Sequence, residues 1–132
     1  MSFSSDLIRR WSPLEERCGL ITASGEIVDI VNYAVEIGLG SAEFAMLNSD
    51  VEQALGGRSL HGIFHTHPSN SPKPSVLDVA GWPAGNLAYY VVTQTTVTEW
   101  KLVGSKPALI ARAESKVDRR VLQATAQSGP AS

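Results

Sequence analysis

The chain has 132 residues, of which 43% are hydrophobic and 18% charged, with a formal net charge of -2. That length suits one domain with a real core, and the near-neutral charge gives no basis for a nucleic-acid or anionic-membrane partner. The lone cysteine, Cys18, excludes an intrachain disulfide. From the N-terminus, Ser4 to Arg10 reads as a short helix with Leu7 and Ile8 facing inward. Cys18 to Thr22 and Glu26 to Tyr33 read as strands joined by a turn at Ser24-Gly25. Glu43 to Leu47 reads as a further strand. Asp50 to Leu55 reads as a helix capped by Ser49 and stopped by Gly56-Gly57. Leu60 to Thr66 is a strand that runs into Pro68, and the proline-rich stretch from Pro68 to Pro74 is a loop. Ser75 can cap a helix that begins at Val76. Leu87 to Gln94 and Val97 to Val103 resemble a hairpin, and Glu114 to Gln127 a C-terminal helix followed by a frayed end. Strands and helices mix without regular βαβ alternation, so the expected fold class is α+β: a single domain with a mostly antiparallel sheet.

The chemistry concentrates in residues 61–78, HGIFHTHPSNSPKPSVLD. His65 and His67 lie two apart at a strand end, so both imidazoles project from one face, roughly 6–7 Å apart along the backbone. Two imidazoles placed this way can converge on one metal ion. Asp78, one turn into the helix capped by Ser75, can supply an oxygen from the other side. Two histidines and one carboxylate leave a fourth tetrahedral position open, the pattern of a catalytic rather than a structural zinc site. Such a site needs a general base, and Glu15 and Glu16 are both candidates upstream. His61 shares the face of His65 and His67 but lies roughly 13 Å from His65 in an extended chain, too far for a ligand. Cys18 reads as a small buried residue. Trp82, Trp100, Tyr89 and Tyr90 read as core, and Asp29 and Asp50 as surface residues. A deaminase would need a Pro-Cys-x-x-Cys ligand pair, which a chain with one cysteine cannot supply.

His65-Thr66-His67-Pro68 followed by Ser75 and Asp78, with Glu16-Arg17-Cys18-Gly19 upstream, resembles the JAMM (MPN-plus, JAB-domain) zinc metalloproteases. The compact length and Pro74-Ser75 within the motif are similar to the small prokaryotic and phage-associated branch. The resemblance implies a curved sheet flanked by helices, related to that of cytidine deaminases. It implies Zn2+ held by His65, His67 and Asp78. It selects Glu16 over Glu15 as the catalytic base. It gives Ser75 the role of oxyanion donor, beside the helix-capping role read from its position. The implied activity is hydrolysis of a peptide or isopeptide bond in a protein or peptide substrate. One implied substrate carries the Gly-Gly tail of a ubiquitin-like or sulfur-carrier protein. The alternative is a phage-tail-assembly or scaffold protein that acts on cell-wall peptide or only binds a partner.

Residues 1–105 are expected to form this domain and residues 106–132 a C-terminal extension, helical and then frayed. Met1 to Trp11 carries Asp6, Arg9 and Arg10 and lacks a long apolar run. A cytoplasmic protein without a membrane partner is therefore expected.

Overall fold

A computed structural model describes residues 2–41, 43–83 and 86–114. The elements are α1 (Phe3–Ile8), β1 (Cys18–Thr22), β2 (Ile27–Ile30), α2 (Tyr33–Glu36), α3 (Asn48–Leu55), β3 (Leu60–Thr66), α4 (Val76–Ala80), β4 (Ala88–Val92), β5 (Thr96–Val103) and β6 (Lys106–Glu114). The strands form one six-stranded sheet in the order β2-β1-β3-β4-β5-β6. Four of the neighbouring pairs are antiparallel, and β3 with β4 is parallel. The domain is therefore α+β with a mostly antiparallel sheet, as the sequence leads one to expect. The parallel pair needs a crossover, and α4 lies within it.

Each face of the sheet carries its own apolar cluster. On one face α1 inserts Leu7 and Ile8 among Ile21, Phe64, Tyr90 and Val92. On the other, Leu20, Ile63, Tyr89, Val91 and Trp100 pack with Trp82 after α4 and with Val51 and Leu55 of α3. Alternation along β3 divides the two: Phe64 faces the first cluster, while Ile63 faces the second. Phe64 and Leu7 are fully buried; each such side chain contributes about 2 kcal/mol of transfer free energy. Gly19 on β1 is a close-approach position. A Cβ there would lie 2.2 Å from the Val28 carbonyl oxygen and 2.4 Å from the Phe64 ring.

Several local expectations are corrected. β2 stops at Ile30, because the Asn32 side chain accepts a hydrogen bond from Ala34 N and caps α2, which starts at Tyr33. Residues 43–47 are not a strand. Their backbone bonds to Asn32 and Tyr33 rather than to a neighbouring ladder: Ala45 N donates to Asn32 Oδ1, and Tyr33 N donates to Ala45 O. α3 begins at Asn48, with Leu47 rather than Ser49 at the N-cap position; Gly56 ends it in the left-handed region at φ 56. Asp29 is exposed, as expected, and has a partner the sequence does not reveal: it accepts two bonds from Arg10 at 2.5 and 3.1 Å. The sheet also runs past residue 105. Gly104, at φ 65, turns the chain, and Lys106–Glu114 pair with β5 as an exposed edge strand. The helix expected over 114–127 begins on this strand, and its remainder lies outside the described residues. Among the described residues no helix is long and apolar enough to cross a membrane.

Candidate metal centre

β3 carries His65 in register with Cys18 of β1 and Val91 of β4, in the fully buried middle of the sheet. His67 follows the last strand residue and is held on three sides. Its N donates to Val92 O at 2.8 Å, and its O accepts from Trp11 Nε1 at 2.8 Å and from Asn70 N at 3.0 Å. Pro68 has no N–H to continue the ladder, and the chain leaves the sheet. The loop that follows is fixed by β5 and its preceding turn. Asn70, at φ 63, accepts from Gln94 N at 2.8 Å. The Pro72 carbonyl accepts from Thr98 Oγ1 at 2.6 Å and Trp100 Nε1 at 3.2 Å.

The loop delivers the chain to α4 through a capping box. Ser75 Oγ accepts from Asp78 N at 3.0 Å, and Ser75 N donates to Asp78 Oδ2 at 2.7 Å. The Ser-x-x-Asp spacing is therefore the spacing of a reciprocal helix cap, and the cap aims Asp78 at the histidines. Asp78 Oδ2 lies 2.9 Å from His65 Nε2 and 3.0 Å from His67 Nε2, and the two nitrogens are 3.0 Å apart. Glu16 completes the group. One ligand atom from each of Glu16, His65, His67 and Asp78 lies within 4.8 Å of the others, and all four residues are buried.

The proton inventory of this cluster tests its fit to a metal. His67 Nδ1 lies 2.8 Å from the Ser71 carbonyl, which can only accept, so Nδ1 carries the proton. A neutral His67 then presents a bare lone pair at Nε2. Asp78 Oδ2 is also an acceptor, and His65 Nε2 meets both. His67 Nε2 and Asp78 Oδ2 cannot bond to each other as bare acceptors, so a proton on an imidazole or a cation must lie among the three atoms; His65 Nδ1 has no partner among the described residues that would fix its tautomer. Glu16 Oε1 is buried beside them with no hydrogen-bond partner among the described residues. The donor set and this orphaned oxygen fit a metal ion, which these four side chains can hold.

The electrostatics agree. Burial would raise the Asp78 carboxyl, but its hydrogen bonds to His65 and His67 hold it far below the usual carboxylate range. Burial pushes His65 below its ordinary value, against the pull of Asp78. Burial also opposes protonation of His67, but its bonds to Asp78 and the Ser71 carbonyl outweigh this and hold it above its ordinary value. Burial pushes the Glu16 carboxyl up to about 7, partly offset by His67. A carboxyl near 7 is suited to exchange protons at neutral pH.

Of the residues singled out from the sequence, Glu16, His65, His67 and Asp78 converge here and Ser75 lines the adjoining cleft, while Glu15 lies outside both. Ser75 does act as a cap, but through an oxygen lone pair; its hydroxyl proton remains, and the residue is exposed. Glu16, Ser41, His67, Ser69, Lys73 and Ser75 line a cleft of about 280 Å3. A larger hollow of about 470 Å3 is mostly apolar and meets the metal group only at Asp78. His61 is excluded as expected, but its expected face is corrected. The β1–β3 register passes from Ile21↔Gly62 to Thr22↔Leu60, which leaves His61 as an extra residue. Its Nε2 bonds to Tyr90 Oη at 2.9 Å, in the cluster opposite the metal group.

Sequence reasoning missed the residues that support this group. Phe44 stacks on the His65 ring at 4.5 Å and 19°, and Tyr89 meets the same ring edge-on at 5.6 Å. Thr98 and Trp100 anchor the ligand loop. Their spacing of two on a strand signals a shared face, but not its carbonyl partner.

Comparison with known proteins agrees with this geometry. Residues 6–103 match the family described as prokaryotic homologs of the JAB domain. The fold is similar to the solution structure of protein DSY2949 from Desulfitobacterium hafniense. The TM-score is 0.63 at 17% identity, over 80% of this chain and 84% of that one. No curated protein matches the sequence.

Proposed function

The chain belongs to the prokaryotic homologs of the JAB domain, and from that membership we propose that it is a zinc-dependent hydrolase of peptide or isopeptide bonds. The observation that carries this reading is the convergence of His65 Nε2, His67 Nε2 and Asp78 Oδ2 beside the unpartnered Glu16 carboxyl. His65, His67 and Asp78 would hold the ion, which when bound supplies Lewis-acid activation of water and of the scissile carbonyl. Glu16 takes a proton from the attacking water and returns it to the leaving amine. Its carboxyl, pushed up to about 7, serves both transfers near neutral pH. Ser75 donates its free hydroxyl proton to the oxygen that gains charge.

The cleft beside Glu16, His67 and Ser75 is small and lined with hydroxyls. This favours a slender, extended segment such as a Gly-Gly tail over a bulky side chain at the scissile bond. The experiment measures bound metal by mass spectrometry. It then assays wild-type and Glu16→Gln protein on Gly-Gly-tailed fusions of ubiquitin-like proteins and on cell-wall peptides. Stoichiometric zinc with turnover lost in Glu16→Gln supports the reading. Zinc-loaded protein that turns over neither substrate class opposes it and returns the partner-binding alternative.

A further inference from the structure

We propose that Asn32 is the positioning residue of this site: its buried side-chain amide aims Glu16 and seats Phe44 on His65. Asn32 is 7% exposed, and all four of its hydrogen-bonding positions are filled. Nδ2 donates to Glu16 O at 2.8 Å and Glu43 O at 3.2 Å. Oδ1 accepts from Ala34 N at 3.0 Å and Ala45 N at 2.9 Å. Two carbonyls face one end of the amide and two N–H groups face the other, so only one orientation satisfies them.

The bonds divide by task. Glu16 Oε1 has no partner of its own among the described residues, so the aim of the carboxyl comes from the backbone. That backbone is held at its carbonyl by Asn32 and at its N by Gly40 O at 2.6 Å. Phe44 is clamped on both sides by the same amide, through the Glu43 carbonyl before it and the Ala45 N–H after it. One side chain thus sets the base and the ring that packs on His65, while it offers no ligand atom and does not itself line the cleft. A displacement of about 1 Å in a base costs about 10²-fold in rate.

The inference rests on the hydrolytic reading for its rate measurement alone. The test uses the full chain as Asn32→Ala and Asn32→Asp. Hydrogen exchange is followed on the metal-free protein, and zinc affinity and turnover are measured on the loaded one. In Asn32→Ala, residues 14–17 and 43–47 exchange faster, while β3 and β4 keep wild-type protection. Zinc affinity falls less than about tenfold, below the range for residues that orient a metal ligand. Turnover at saturating zinc falls about 10²-fold, and under that condition Asn32→Ala added to Glu16→Gln costs little further, since its effect on the rate runs through Glu16.

Asn32→Asp keeps the acceptor for Ala34 and Ala45 but loses the donor to the Glu16 and Glu43 carbonyls, so its faster exchange centres on residues 14–17 and on 43–44. It is the variant to read if Asn32→Ala does not fold. Wild-type exchange at 14–17, loosening spread evenly through β3 and β4, multiplicative loss in the double variant, or failure of both variants to fold would each overturn the proposal. Wild-type protein that hydrolyses nothing would overturn the hydrolytic reading and leave the exchange measurement to decide this one.

Discussion

His67 Nδ1 donates to the carbonyl oxygen of Ser71 at 2.8 Å, across four residues of the loop it begins. The bond fixes the tautomer of the ring and turns the bare Nε2 toward Asp78 and His65. The loop that supplies the carbonyl is itself tied to β5 through Pro72. The His67 ring is therefore oriented by the sheet and its loop.

The first prediction concerns the ligands. His67→Ala or Asp78→Asn removes one of three converging donors, and zinc affinity falls by more than about 10²-fold, beyond the usual effect of losing an outer-shell partner. Isothermal titration of the metal-free proteins measures it. Asp78→Asn also tests the cap: its side-chain oxygen can still accept from Ser75 N, so α4 persists while metal binding fails. Equal zinc affinity in wild type and Asp78→Asn would remove Asp78 from the ligand set.

Acid releases the metal. Ligation needs neutral imidazoles, and the His67 pKa lies above its ordinary value of 6.5. As pH falls, protons compete first at this ring, so zinc affinity begins to decrease above pH 6.5 and falls further below it. Asp78 stays ionised across that window. Metal content after dialysis at stepped pH is the measurement, and full occupancy at pH 4 would contradict the assignment.

Glu16 makes the metal-free protein less stable in base. Its carboxyl is pushed up from 4.5 to about 7. The folded state therefore prefers the protonated form, and stability is lost as pH rises through that range. The loss is at most about 3 kcal/mol. Glu16→Gln avoids it. In thermal melts without metal, this variant melts several degrees above wild type at pH 8 and no higher near pH 4.5. An unchanged difference between the two pH values would place the Glu16 pKa near its ordinary value.

Ser75→Ala separates two uses of one hydroxyl. Loss of the cap costs about 1 kcal/mol of stability, while loss of an oxyanion donor lowers turnover by about 10²–10³-fold. A melt and a rate assay on one preparation read both. A rate loss no larger than the accompanying loss of bound zinc would leave Ser75 as a cap alone.

Gly19→Ala is expected to lower stability by about 3 kcal/mol through overpacking. The new methyl would meet the Val28 carbonyl oxygen and the Phe64 ring at distances no core tolerates. Urea unfolding measures it, and a loss below about 0.5 kcal/mol would mean that the sheet gives way there. The glycine of the Glu-x-Cys-Gly segment thus has a packing reason.

The legible parts of this molecule are those where sequence spacing is itself the geometry. Leu60–Thr66 and the helix after Ser75 appear where expected, because Pro68 ends one and the Ser-x-x-Asp cap starts the other. The grouping of His65, His67 and Asp78 follows from the same spacings. What stayed hidden depends on partners distant in sequence. Residues 43–47 have strand-like composition, yet their hydrogen bonds go to Asn32. His61 keeps the period of His65, yet a register shift against β1 turns it to the other face. Residues 106–114 carry no strong alternation, yet β5 offers them an edge to pair with. Phe44 reads as an ordinary apolar residue until His65 lies under it.

Cys18 sits beside His65 in the sheet register, 2% exposed, with a thiol that burial pushes up to about 12. A thiol held protonated and shielded reacts slowly with oxidants and alkylating agents. The protein can therefore be purified and stored without dithiothreitol or mercaptoethanol, reagents whose own sulfurs would compete for the zinc to be counted. The same silence makes Cys18 a built-in gauge. A maleimide that labels it has found β1 parted from a neighbouring strand, β2 or the β3 that carries His65.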